Sequence, residues 1–227
     1  MKFRVFIVFV FFICILLPGN NLAHNKVVVI PLIDDDDGIQ TVTSAGRVWM
    51  DRNLGAHRVA QSVDDYQAYG WMYQWGRLAD RHETRHSPIL PAQSSGDVPP
   101  HGSFITVVSY PYDWRYTQND NLWQPGTGVN NPCPAGFRVP TETEWETEID
   151  SWNPNNSAGA FASPLKLVVA GSRNRSNGEI FSVGSYGFYW SSAFIGSDAR
   201  SLYLSNSDAY MDSNYRAYGF SVRCIKN

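Results

Sequence analysis

The sequence predicts an α+β fold of short antiparallel strands, one or two helices and long ordered loops. Three observations lead there. A helix announces itself at Pro140-Thr-Glu-Thr-Glu-Trp145, and short strand patterns separated by turn residues follow it to the end of the chain. Before it, residues 82–131 are irregular and rich in Pro, Gly, Ser, Asn and Asp, yet carry enough aromatics to pack. One helix followed by a run of antiparallel strands is the α+β pattern rather than alternating βα units.

Composition supports a folded domain. The chain has 227 residues with 8 Trp, 12 Tyr and 12 Phe, and only 17% of it is charged, against about 25% in average soluble chains. Its length fits roughly one domain. The formal charge is -3. A weakly acidic chain without a Lys/Arg cluster argues against nucleic acid, whose phosphates demand a basic face.

Taken in order, residues 1–23 read as an export signal. Lys2 and Arg4 precede an apolar run from Val5 to Leu17, which Pro18-Gly19 ends before Ala23. That run is 13 residues, short of the roughly 20 that span a bilayer as a helix. No second apolar stretch of membrane length follows, so the reading is a secreted or cell-surface protein with no span after signal removal. Residues 24–37 hold a short strand pattern (Val27 to Leu32) and the acidic linker Asp34–Asp37. Four consecutive acids do not alternate as calcium-loop ligands do. The main domain is therefore set at 38–227.

Within it, Arg47 to Asn53 alternates like a half-buried strand. Tyr69 to Leu78 is dense in aromatics and should cross the core. Thr141 is a good N-cap with Glu144 three residues on, a capping box. Trp145, Ile149 and Trp152 then make one apolar stripe. Strands are expected at Leu165–Ala170, Glu179–Val183, Phe188–Phe194, Ser201–Ser205 and Phe220–Ile225, with turn signals at Ser176-Asn-Gly178 and Gly196-Ser-Asp198. After export two cysteines remain, Cys133 and Cys224. An exported pair is expected to form a disulfide, and two cysteines so far apart have no metal-ligand spacing.

Several segments together resemble a known family. They are Gly46-Arg-Val-Trp-Met-Asp-Arg-Asn-Leu-Gly-Ala56, Tyr69-Gly, Tyr73-Gln-Trp-Gly-Arg77, Asn131-Pro-Cys-Pro-Ala-Gly-Phe-Arg-Val-Pro-Thr141 with Glu144-Trp145, Tyr189-Trp-Ser-Ser192 and Gly219-Phe-Ser-Val-Arg-Cys224. As a set, spread from about Gly38 to Lys226, they look like the major paralogous domain named for Fibrobacter succinogenes, found in exported bacterial proteins. The resemblance implies a C-type-lectin-like fold. It also implies kinship to formylglycine-generating-enzyme-like domains and to the lectin-like domains diversified by retroelements. In that picture Cys133 and Cys224 bridge the middle of the domain to its last strand.

The candidate chemistry divides unevenly. His82-Glu-Thr-Arg-His86 matches H-E-x-x-H, which on a helix binds zinc through two histidines beside a catalytic glutamate. Pro88 follows too soon for such a helix, and the flanks are charged. The family carries a Gly-His-Glu-like stretch here, with Arg81 now in place of that Gly, so a zinc hydrolase of His82, Glu83 and His86 is the weaker alternative. A formylglycine-generating activity needs a reactive cysteine pair besides a bridge. Gln124-Pro-Gly126 lacks the sugar-and-calcium signature of true C-type lectins. Asp51–Arg52 and Arg77–Asp80 read as structural ion pairs. The expectation is no enzyme, no cofactor and no metal.

The segment 195–218 is the strongest surface candidate. Fourteen of its 24 residues are Ser, Tyr, Asp or Asn, and none is Lys, Glu, Gln or Trp. Paratopes use this palette because Tyr offers large contact area at low entropy cost while Ser and Asn adapt their hydrogen bonds. In the resembling diversified domains the variable residues lie at this place. The expected ligand-binding residues are Ser197, Asp198, Ser201, Tyr203, Asp208, Tyr210, Asp212, Asn214, Tyr215 and Tyr218, meeting a glycan or protein on a cell surface. The rival reading makes the chain a structural or assembly subunit of a cell-surface complex.

Overall fold

The computed structural model describes residues 38–227; the expected export signal, the Val27–Leu32 strand and the acidic linker lie outside the described residues. Strands β1 (Thr41–Ser44) and β2 (Arg47–Met50) open the domain as a hairpin. Its two-residue turn is Ala45-Gly46, both at positive φ, the geometry that matches strand twist. β3 (Tyr73–Gln74), β4 (Ile89–Leu90), β5 (Phe104–Ile105) and β6 (Phe137–Arg138) are two-residue strands set in long loops. Helices α1 (Glu142–Asp150) and α2 (Ser157–Ala162) come next. The chain ends with β7 (Ser172–Arg173), β8 (Ile180–Phe181), β9 (Gly187–Ile195), β10 (Asp198–Leu204), β11 (Ala209–Asn214), β12 (Gly219–Phe220) and β13 (Ile225–Lys226). These pair as β1-β2-β13-β6, β11-β10-β9 and β3-β12-β7-β8, with β4-β5 the one parallel pair among them. The domain is thus α+β with short, mostly antiparallel strands.

Helix α1 forms where the sequence placed it. Thr141 accepts from the Glu144 amide while the Glu144 carboxylate accepts from the Thr141 amide, which satisfies two orphan donors of the first turn. Arg138 and Arg47 both donate to the same carboxylate. Trp145 and Ile149 are buried on the helix, and Trp152 packs with them just past its end.

Two large clusters, with two smaller ones beside them, make the core of the described residues. Trp49, Trp145, Trp152, Tyr189, Leu202 and Leu204 form one; Tyr73, Trp75, Trp123, Trp190, Phe220 and the two cysteines form the other. Cys133 and Cys224 are joined in a disulfide with Cα atoms 5.9 Å apart. The Tyr69–Leu78 segment runs through the core, with Met72, Tyr73, Gln74, Trp75 and Arg77 all buried. Indole N–H groups tie the loops together: Trp75 donates to the Ser191 carbonyl, Trp114 to Trp75, Trp145 to Trp190 and Trp190 to Tyr73. Such bonds satisfy carbonyls that a loop-rich chain leaves without a ladder partner.

Two expectations need correction here. Leu165–Ala170 is not a strand, although Leu165, Leu167, Val168, Val169 and Ala170 are all buried. Its amides go to isolated partners instead: Val168 to the Tyr189 hydroxyl and Val169 to the Val63 carbonyl. An apolar run reports burial, and pairing is a separate matter. The expected Phe220–Ile225 strand is two short ones, β12 and β13, in different sheets. Strands β1 and β11 were not expected, and α2 is the second of the one or two helices expected, at a place the sequence did not mark. Among the described residues no helix is long and apolar enough to cross a membrane.

Candidate ligand-binding face

Strand alternation decides which of the ten candidate residues share a face. In β10, Leu202 and Leu204 point into the α1 cluster, so Ser201 and Tyr203 point the other way. The register pairs Tyr203 with Tyr210 and with Phe188, and Ser201 with Asp212 and with Trp190. Tyr203, Tyr210, Asp212 and Asn214 therefore lie on one side of the β9–β10–β11 sheet. Ser201 shares that side but is fully buried; its hydroxyl accepts from the Asn214 amide at 3.0 Å and meets no solvent. The expectation that Ser201 contacts a ligand is corrected on that ground.

The rings on this face are in continuous contact. From Tyr210 the centroids step to Tyr203 at 4.9 Å, to Phe188 at 5.5 Å and to Phe220 at 4.7 Å. They continue to Tyr218 at 5.7 Å, Tyr215 at 6.2 Å, Tyr112 at 4.5 Å and Tyr110 at 6.0 Å. Tyr186 joins the row beside Tyr203 at 5.6 Å. The row surfaces at its ends, where Tyr210 is 47% and Tyr110 73% exposed, and dips beneath the surface at Phe220. Burial pushes the Tyr203 and Tyr210 phenols up, and Asp208 and Asp212 add to it, so both stay neutral donors.

The remaining candidates edge this row. Asp208 sits in the turn after β10, near Tyr203 and Tyr210. Ser197 and Asp198 sit at the opposite end of β10, roughly 20 Å away by strand length. There the Tyr110 hydroxyl meets the Ser197 hydroxyl at 3.3 Å, and Gln118 donates to the Ser197 carbonyl. The Arg175 guanidinium lies 3.7 Å over the Tyr112 ring and 5.0 Å over Tyr215. These contacts hold the 110–123 loop against the end of the sheet. Sequence reasoning missed Tyr110, Tyr112, Tyr186, Phe188, Phe220 and Arg175 as parts of this face. Alternation from Trp190 would have found Phe188; the loop residues come from some 90 positions away and carry no local signal.

The H-E-x-x-H segment has a different geometry from a zinc site. Residues 81–86 are turns and bends, so His82 and His86 do not share a helix face; His82 is fully buried and His86 exposed. The Gln74 amide donates to His82 Nε2 at 3.0 Å, so the proton sits on Nδ1, which donates to Asp80 at 2.7 Å. Both ring nitrogens meet protein partners, and His82 and His86 do not share the helix face that H-E-x-x-H uses for zinc. Asp80, His82 and Glu83 are close, with ligand atoms within 4.8 Å of one another. Arg77 also binds Asp80, at 2.5 Å. Burial alone would push the Asp80 carboxyl up, but His82 and Arg77 outweigh it and hold it at about 2. This cluster pins the loop after Trp75-Gly-Arg77.

No family model, curated protein or solved structure matches the chain.

Proposed function

We propose that the protein is an exported, non-catalytic binding module. On this reading it is a C-type-lectin-like domain of the Fibrobacter succinogenes major paralogous type. Its recognition face is the tyrosine row on β9–β11 with the tip of the 110–123 loop. The observation that carries the reading is the unbroken ring row from Tyr210 to Tyr110, open to solvent at both ends and flanked by Ser, Asp and Asn. Rigid, amphipathic rings beside short adaptable polar groups suit a protein surface better than a lone sugar. The short antiparallel strands, the long packed loops and the bridge to the last strand support the fold assignment.

The test is binding of the purified protein to arrays of bacterial surface proteins and glycans. A variant with Tyr203, Tyr210, Tyr215 and Tyr218 changed to Ala runs beside it, with near-UV circular dichroism to confirm that both are folded. A ligand lost only by the folded variant supports the face. Equal binding by both places recognition elsewhere. Absence of any ligand favours the assembly-subunit reading.

A further inference from the structure

We propose that the groove along residues 81–88 is a second binding site, and that it takes an acidic saccharide. Two clefts meet there and share Thr84 and His86. One, of about 250 Å³, is lined by Trp71, Tyr66, His57 and Arg85. The other, of about 630 Å³, carries Arg81 on its wall. Neither contains a residue of the tyrosine face.

Charge is the first argument. The formal charge of the chain is -3, yet no Asp or Glu lines either cleft among the described residues. The carboxylates of this segment turn away: Asp80 is held by Arg77 and His82, and Glu83 is buried beside His82. Most arginines of the domain are ion-paired, as Arg47, Arg52, Arg58, Arg138 and Arg200 show. Arg81 and Arg85 make no ion pair among the described residues. Arg85 spends one nitrogen on the Ala170 carbonyl, lies over the Tyr69 ring at 5.3 Å and keeps its Nη1 buried, so Arg81 is the exposed guanidinium on the groove wall. A planar guanidinium with unspent donors is matched to a carboxylate.

The backbone adds a second argument. Arg81 holds φ at +85°, a region that favours glycine. A long side chain in that conformation costs stability that a glycine would recover. A guanidinium kept there, exposed on the groove wall, points to a role for the side chain itself.

The third argument is shape. Trp71 rests on Gly55, where a Cβ would come within 2.2 Å of the ring. The rest of the indole lines the cleft beside the exposed Tyr66 ring, a fixed aromatic platform. Beneath the ridge, buried Arg173 donates to the Thr84 carbonyl and to Ser87, which fixes the segment. Aromatic walls with a few placed polar groups are the ordinary makeup of a small-ligand site. A sugar acid offers an apolar ring face to the platform and a carboxylate to the exposed Arg81 guanidinium.

The experiment is titration calorimetry of the purified protein with an oligogalacturonate and with its methyl-esterified form. The acid oligomer is expected to bind, to weaken with added salt, and to outbind the ester. Trp71→Ala and Arg81→Gly should each weaken it by about tenfold. Arg81→Gly should at the same time raise the melting temperature, so its loss of binding is not loss of fold. Tyr210→Ala should leave this binding unchanged, which separates the groove from the tyrosine face. The proposal is overturned if neither oligomer binds, if acid and ester bind alike, if Arg81→Gly binds as well as the natural protein, or if inorganic phosphate displaces the oligomer.

Discussion

The tryptophan core and the tyrosine face are both aromatic, and they differ in where each ring's polar atom goes. Trp75, Trp114, Trp123, Trp145 and Trp190 are buried, and each gives its N–H to a main-chain carbonyl. Their rings hold loops to strands. Tyr110 and Tyr210 sit at the surface, packed edge to edge with neighbours but with hydroxyls turned toward solvent or toward short polar side chains. Tyr189 marks the boundary: its hydroxyl is buried and bonds both the amide and the carbonyl of Val168, so it belongs with the tryptophans. The contrast teaches that aromatic content alone says nothing about role. For these residues the partner of the polar atom does, while Trp49, whose buried N–H has no partner among the described residues, belongs to the core by burial alone.

The largest effect expected on this division comes from Trp190→Ala. It removes a fully buried ring packed against Phe220 at 4.3 Å and takes an indole N–H from the Tyr73 carbonyl. Urea unfolding should show a loss of about 4 kcal/mol. A loss below about 1 kcal/mol would break the assignment of the tryptophans to the core.

A second, smaller effect concerns pH. Against burial, which alone would raise it, the Asp80 carboxyl is held at about 2, below the ordinary carboxylate range, by His82 and Arg77. A carboxyl depressed on folding stabilises the fold above the unfolded value and loses that contribution as pH falls through the folded one. Asp80→Asn should therefore flatten the fall in stability between about pH 4 and pH 2. It should also lower stability at neutral pH, since Arg77 and His82 lose an acceptor. An unchanged acid slope would remove Asp80 from the loop's support.

Part of this division was legible in the sequence and part was not. Helix α1 was readable because its capping box and apolar stripe lie within twelve residues of one another. The β9–β10 hairpin was readable because Gly196, at φ +55°, supplies the turn. Strand β11 was missed although it alternates: its inward residues, Ala209 and Met211, are a weak apolar signal. Helix α2 is six residues with an internal Gly, too short for a periodic pattern. The composition of 195–218 marked a segment whose candidate residues are, apart from Ser201, half-buried or exposed. It could not show that Ser201, on the same side of the sheet as Tyr203, is covered there, with its hydroxyl accepting from Asn214. Nor could it bring Tyr110 and Tyr112 to Tyr215, a contact that exists only once the long loop folds back.

The most direct test of the central claim uses the two open ends of the row. Tyr110→Ala combined with Tyr210→Ala changes two exposed rings and no core group. Surface substitutions of this kind shift stability by about 0.5 kcal/mol or less. The double variant, assayed by surface plasmon resonance on whichever array ligand the natural protein captures, is expected to keep its urea midpoint and lose at least about tenfold in affinity. Affinity kept within about twofold, with the fold intact, would contradict the claim that the tyrosine row is the recognition face.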